Sequence, residues 1–117
     1  MTDLDLVDLL EGKRFNEASE DALQRGIAEV LSGAGISFKR EVPLTRGDRI
    51  DFLVGAIGVE CKTDGSLSAL VRQLFRYAQA DQVEALVVVT TRLRLARLPP
   101  SFNGKPITVV ATLGGLL

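Results

Sequence analysis

Apolar positions recur along this chain with two periods. From about Asn16 to Ser32, Leu23, Ile27, Val30, Leu31 and Ala34 fall on one stripe of a helix, which Gly33 and Gly35 close. Thr2 to Glu11 predicts a shorter amphipathic helix, with Leu6, Leu9 and Leu10 opposite Asp5 and Asp8, ended by Gly12. Leu67, Leu70, Val71, Leu74 and Ala78 mark a third helix, capped by Ser66 and running to about Ala80. The segments between these helices read as strands. Ile36 to Leu44 is one, confined by Pro43 to an edge or a strand end. Arg49 to Val54 and Gly58 to Thr63 are two more, joined by Gly55-Ala56-Ile57-Gly58, where Gly55 suits the first position of a type II′ turn. Glu84 to Thr91 is a continuous apolar run, as expected of a strand buried on both faces. After a basic segment (Arg92, Arg94, Arg97) and the Pro99-Pro100 break, Pro106 to Ala111 is the last strand. This order predicts an α/β domain with a mixed central sheet flanked by helices.

With 117 residues, 46% hydrophobic and 25% charged, the chain is sized for a single domain with one core. One cysteine allows no internal disulfide, and no charged-then-apolar leader is visible, which fits a cytosolic, reducing setting (or a host cytoplasm for a phage protein). No histidine is present, so Ser-His-Asp and Cys-His catalysis and His-ligated zinc are excluded. No phosphate-binding glycine loop is present either. Chemistry must run on carboxylates, lysine, amides or a metal. Net charge is -1 but unevenly spread: residues 1–35 hold eight acids and three bases, residues 36–117 seven acids and eleven bases. Such a split is compatible with an acidic back and a basic working face.

The hairpin concentrates the candidate chemistry. With Gly55 and Ala56 as the loop, Asp51 stands opposite Glu60; with all four residues from Gly55 to Gly58, it faces Lys62. In either register Asp51, Glu60 and Lys62 share one face, because side chains two apart on a strand point the same way. Ile50, Phe52, Val54, Val59 and Cys61 are expected on the other face, as its core side. A D/E-x-K string arises by chance roughly once in a chain this long. Glu11-Gly12-Lys13 is such a chance match, whereas Glu60-Cys61-Lys62 lies on a strand beside a partner acid. Glu20 adds a carboxylate within the apolar stripe of the Asn16–Ser32 helix. Glu17 and Asp21 read as ordinary first-turn acids.

These residues resemble the PD-(D/E)xK nuclease superfamily, with its restriction-endonuclease-like αβββαβ core. Ile50-Asp51 stands where the family has Pro-Asp, and Glu60-Cys61-Lys62 stands for (D/E)xK. Glu20 matches the acid many members carry on the first core helix. Gln73-Leu74-Phe75-Arg76-Tyr77 looks like the Q-x-x-x-Y motif of the RecB-like branch. On this reading residues 1–12 are a helical extension, 16–90 the catalytic core, and 91–117 a basic segment and C-terminal strand of one nuclease domain, 1–117. The resemblance implies a metal-dependent deoxyribonuclease leaving 5′-phosphate and 3′-hydroxyl ends, with Gln73 and Tyr77 close to the site. The small size also suits archaeal and phage Holliday-junction resolvases.

The chemistry of the residues agrees. Glu20, Asp51, Glu60 and the Cys61 backbone carbonyl offer hard oxygen ligands suited to Mg²⁺ or Mn²⁺, and Lys62 is a point charge for a pentacovalent phosphate. The Cys61 thiol points into the core as a small hydrophobe. Arg46, Arg49, Arg72 and Arg76 are candidates for DNA phosphate contacts, Arg72 and Arg76 lying one helical turn apart. Exposed stacking aromatics are expected to be scarce. Leu4 to Leu10 and Leu113 to Leu117 offer apolar surfaces for a homodimer acting on duplex, flapped or branched DNA. The competing class is a non-catalytic nucleic-acid-binding or assembly module.

Overall fold

The computed structural model describes residues 1–45 and 47–112. Helices α1 (Asp3–Leu10) and α2 (Glu20–Gly33) come first, followed by strands β1 (Lys39–Pro43), β2 (Arg49–Val54) and β3 (Ile57–Lys62). Helix α3 (Leu67–Tyr77) leads to β4 (Ala85–Thr90), a 3-10 turn at Leu93–Leu95, and strands β5 (Ser101–Phe102) and β6 (Lys105–Ala111). The six strands form one mixed sheet in the order β1-β2-β3-β4-β6-β5. The β1, β2 and β3 strands pair antiparallel; β3, β4 and β6 run parallel. None of the helices among the described residues is long and apolar enough to cross a membrane.

Local chemistry explains the helix starts. Ser19 and Ser66 accept N–H bonds from Ala22 and Ala69 at 3.0 and 3.1 Å, so α2 and α3 begin just after their caps. The sequence-based start of α2 at Asn16 is therefore four residues early. Glu17 lies before the helix, where its carboxylate accepts the Thr112 hydroxyl at 2.8 Å, and is not a first-turn acid. Thr2 and Asp5 cap α1 reciprocally.

Two apolar layers sandwich the sheet. Leu6, Val7 and Leu10 of α1 and Leu23, Ile27 and Leu31 of α2 pack on Phe52, Val54, Val59, Val87 and Val89. On the opposite face, Leu70, Leu74 and Tyr77 of α3 pack with Leu95 on Leu53, Leu86, Val88 and Ile107. All of β4 is buried, as its unbroken apolar run requires. The α1 helix thus spends its leucines on the protein's own core, and only Leu4 remains as an exposed apolar side chain there. Leu6, Val7 and Leu10 are therefore not available to the dimer surface expected at Leu4 to Leu10; Leu113 to Leu117 lie outside the described residues. Leu6→Ala is expected to cost about 2–5 kcal/mol in a urea melt, because Leu6 is fully buried.

The hairpin takes the two-residue loop. Val54 pairs with Ile57 and Phe52 with Val59, and Gly55 adopts φ +61° as the first position of a type II′ turn requires. Continuing that register one step sets Asp51 across from Glu60. Ile50, however, is not on the Phe52 and Val54 face as alternation predicts. It belongs to the α3 core together with Leu53, so the strand turns over at Asp51. Its side chain lies over Gly58, where an added Cβ would collide with Ile50 Cδ1 and press on Leu86. Glu60 and Lys62 lie on the face that α3 covers, Glu60 beside Tyr77 and Lys62 partly exposed in the cleft beside Gln73 and Arg76.

Candidate active site

The turnover of β2 is produced by its carboxylates. Below Phe52 and Val59 the two strands stop bonding backbone to backbone. The Asp51 N–H donates to Glu60 Oε1 at 3.3 Å, and the Cys61 N–H donates to Asp51 Oδ2 at 2.8 Å. Each acid therefore satisfies the other strand's amide, and the strands part where the two side chains enter. The two carboxyl side chains also lie within hydrogen-bonding reach of each other.

Glu60 is 4% exposed, an unusual place for a carboxylate. Its Oε2 lies 3.4 Å from Lys62 Nζ and 3.4 Å from the Tyr77 hydroxyl. That hydroxyl accepts from Gln73 Nε2 at 2.7 Å and donates to the Arg49 carbonyl at 3.0 Å. The Gln73 and Tyr77 pair is thus brought to the site. Tyr77, which is buried, bridges Glu60 and the start of β2, and Gln73 braces its hydroxyl from the cleft side. Lys62 is partly exposed, and with Gly65, Ser66, Gln73 and Arg76 it lines an open cleft of about 250 Å³. The arginines of the next loop fix one wall of that cleft. Arg92 donates to the Thr63 carbonyl at 2.9 Å, and Arg94 pairs with Asp64 at 3.0 Å while also donating to the Gly65 carbonyl.

Burial raises the pKa of Glu60 to about 8, and the neighbouring Asp51 charge pushes the same way against Lys62. Asp51 is raised too, first by burial, with its Cys61 N–H bond opposing. Glu20, the first residue of α2, is half-buried and also raised by burial; the charges of Lys62 and Asp51 both reach it. Burial pushes the Cys61 thiol well up, so it packs as a hydrophobe. The Tyr77 hydroxyl is likewise pushed up by burial and by Glu60.

One acid escaped the sequence reading. Arg40 pairs with Phe52 and Val42 with Ile50, which leaves Glu41 facing Asp51 across the β1–β2 ladder. Its charge raises the pKa of both Asp51 and Glu20. Glu41 adopts φ +51°, in the left-handed region that a non-glycine residue occupies at a cost of order 1–3 kcal/mol. Three carboxylates, Glu20, Asp51 and Glu60, thus feel the charge of Lys62, and Glu41 adds a fourth beside Asp51 and Glu20. Among the described residues, no three of them converge tightly enough to form a ready-made metal cage.

The basic candidates divide. Arg49 is exposed at the start of β2, and its carbonyl holds Tyr77. Arg46 lies outside the described residues. Arg72 is exposed on α3. Arg76 is already engaged, with Nε at 3.2 Å from both Asp48 carboxylate oxygens, so its charge is partly spent. Glu11 and Lys13 are exposed beyond the end of α1. Comparison of the chain with protein-family models, with curated proteins and with solved structures finds no match.

Proposed function

We propose that this protein is a divalent-metal-dependent DNA nuclease with a restriction-endonuclease-like core, hydrolysing phosphodiester bonds at Asp51, Glu60 and Lys62. One observation carries the reading: two facing carboxylates wedge the catalytic hairpin open, in a partly dry place, with more negative charge around them than Lys62 balances. Such a charge deficit beside an open cleft fits a hard cation. Asp51 and Glu60, with the Cys61 carbonyl between the strands, would hold Mg²⁺ or Mn²⁺. Glu20 would hold one of its waters, and because no tight cage exists the ion would keep several of them. When bound, the ion supplies a Lewis acid for a phosphate oxygen and makes a water acidic enough to attack.

The protein's own groups do the rest. Lys62 reaches the cleft and offers a fixed positive charge to the phosphate as negative charge builds on it. Tyr77 and Gln73 keep Glu60 aimed, and α3 keeps bulk water off its inner side. Calorimetric titration with Mn²⁺ near pH 7 tests the reading. Binding is expected with release of a proton, because Glu60 is protonated in the free protein at that pH and must ionise to bind a metal. Running the titration in two buffers of different ionisation heat counts that proton. Asp51→Asn should abolish the binding. Absence of binding in the wild type would refute the metal site and favour a non-catalytic nucleic-acid-binding module.

A further inference from the structure

Helix α3 has a second face that the site does not use. Gln73 and Tyr77 turn inward to Glu60, whereas Phe75, about 200° away around the helix from each, turns outward. Phe75 is 52% exposed, on a helix whose other large apolar side chains are buried or half-buried. It meets Phe102 of β5 edge to face, with centroids 5.4 Å apart and planes at 85°. Together with Val71, Arg72 and Arg76, these rings line a shallow depression of about 380 Å³. Arg72 precedes Phe75 by one helical turn and is exposed beside it. Arg76 also lines the cleft that holds Lys62 and Gln73, so the two hollows meet at a single arginine.

We propose that the Phe75–Phe102 pair is a base-stacking platform, flanked by Arg72 and Arg76, that holds an unpaired nucleotide of single-stranded DNA next to the cleaved phosphate. This rests on the nuclease reading and narrows its substrate to DNA with a single-stranded segment. An open aromatic face accepts any base, and the adjoining guanidinium groups match the phosphates on either side of it. A strand seated on Phe75 passes Arg76 directly into the Lys62 cleft. A blunt duplex keeps its bases stacked on one another and has none to offer.

The test measures binding of a single-stranded thymidine oligonucleotide, and of a blunt duplex, with Ca²⁺ in place of the catalytic ion. Phe75→Ala and Phe75→Leu are expected to weaken single-strand binding by about tenfold, within the span of stacking on one base, and to leave duplex binding unchanged. Phe75→Leu keeps an apolar side chain against Phe102, so an equal loss in both variants assigns the effect to the ring. Because the chain has no tryptophan, Phe75→Trp also gives a lone fluorophore. Its emission should be quenched by the oligonucleotide and not by an abasic strand of the same length. Equal single-strand affinity in all Phe75 variants, or an unquenched Phe75→Trp, would overturn the platform while wild-type cleavage left the nuclease intact. Conversion of a wild-type oligomer to monomer by Phe75→Ala would overturn it in favour of self-association. A wild type that neither binds nor cuts any DNA would remove both proposals together.

Discussion

Asp51→Asn, Glu60→Gln and Lys62→Ala are each expected to slow DNA cleavage by at least about 100-fold, the scale set by removing one charged group from a preorganised site. Asp51 and Glu60 are the two acids that wedge the hairpin open and would hold the ion. Lys62 is the cation whose charge reaches both of them and Glu20. The amide variants keep the shapes that satisfy the Cys61 and Asp51 N–H groups, so loss of activity should come without loss of fold. Glu60→Ala is different. It strips the Asp51 N–H of its acceptor inside the sheet and should destabilise the protein by about 1–3 kcal/mol as well. Glu11→Gln and Lys13→Ala should leave the rate unchanged. Steady-state cleavage assays, with urea melts alongside, separate these outcomes.

The metal-free protein should lose stability as pH rises from about 5 to about 8. Glu60 titrates near 4.5 when unfolded and near 8 when folded, so across that window the folded state holds a proton that the unfolded state has lost. The stabilisation is fully present below the unfolded value and vanishes as pH passes the folded one. Its slope is about 1.4 kcal/mol per pH unit at most. Raised values at Asp51 and Glu20 act in the same direction, that of Asp51 beginning at lower pH. Glu60→Gln, which mimics the protonated form, should flatten most of this fall. Chemical denaturation across that range, in chelator, reads the effect. Mn²⁺ affinity should run the opposite way and climb toward pH 8, since ionisation is required to bind.

Much of the fold was legible because its signals are local. Periodicity located all three helices, and the unbroken run at Ala85–Thr90 identified the strand buried on both sides. Gly55 indicated a turn that brings Asp51 opposite Glu60, although four-residue and two-residue loops were both open until the pairing was seen. What stayed hidden depends on long-range packing. The turnover at Asp51, which sends Ile50 to the α3 core, comes from side chains replacing ladder bonds, and alternation alone has no means to foresee it. Glu41 was missed because the register of β1 on β2 is set across a five-residue connection of unspecified shape. Exposed stacking aromatics were expected to be scarce, and Phe75 is one that stays open. The β5–β6 hairpin was missed despite a usable signal: Asn103-Gly104, with φ +53° and +73°, is the pair that a type I′ turn demands. The same hairpin ties down the segment after α3, since Asn103 and Lys105 donate to the Ala78 and Ala80 carbonyls.

The central claim is hydrolysis of DNA at the wedged hairpin, and cleavage itself is its most direct measure. Wild-type protein and Asp51→Asn should be incubated in parallel with single-stranded, duplex, flapped and four-way DNA, with Mg²⁺ or Mn²⁺ and with chelator. The expected result is metal-dependent cutting of the substrates that carry a single-stranded segment, leaving 5′-phosphate ends, and lost in Asp51→Asn. Folded wild-type protein that cuts none of the four with either ion, or Asp51→Asn that cuts as fast as wild type, would contradict it.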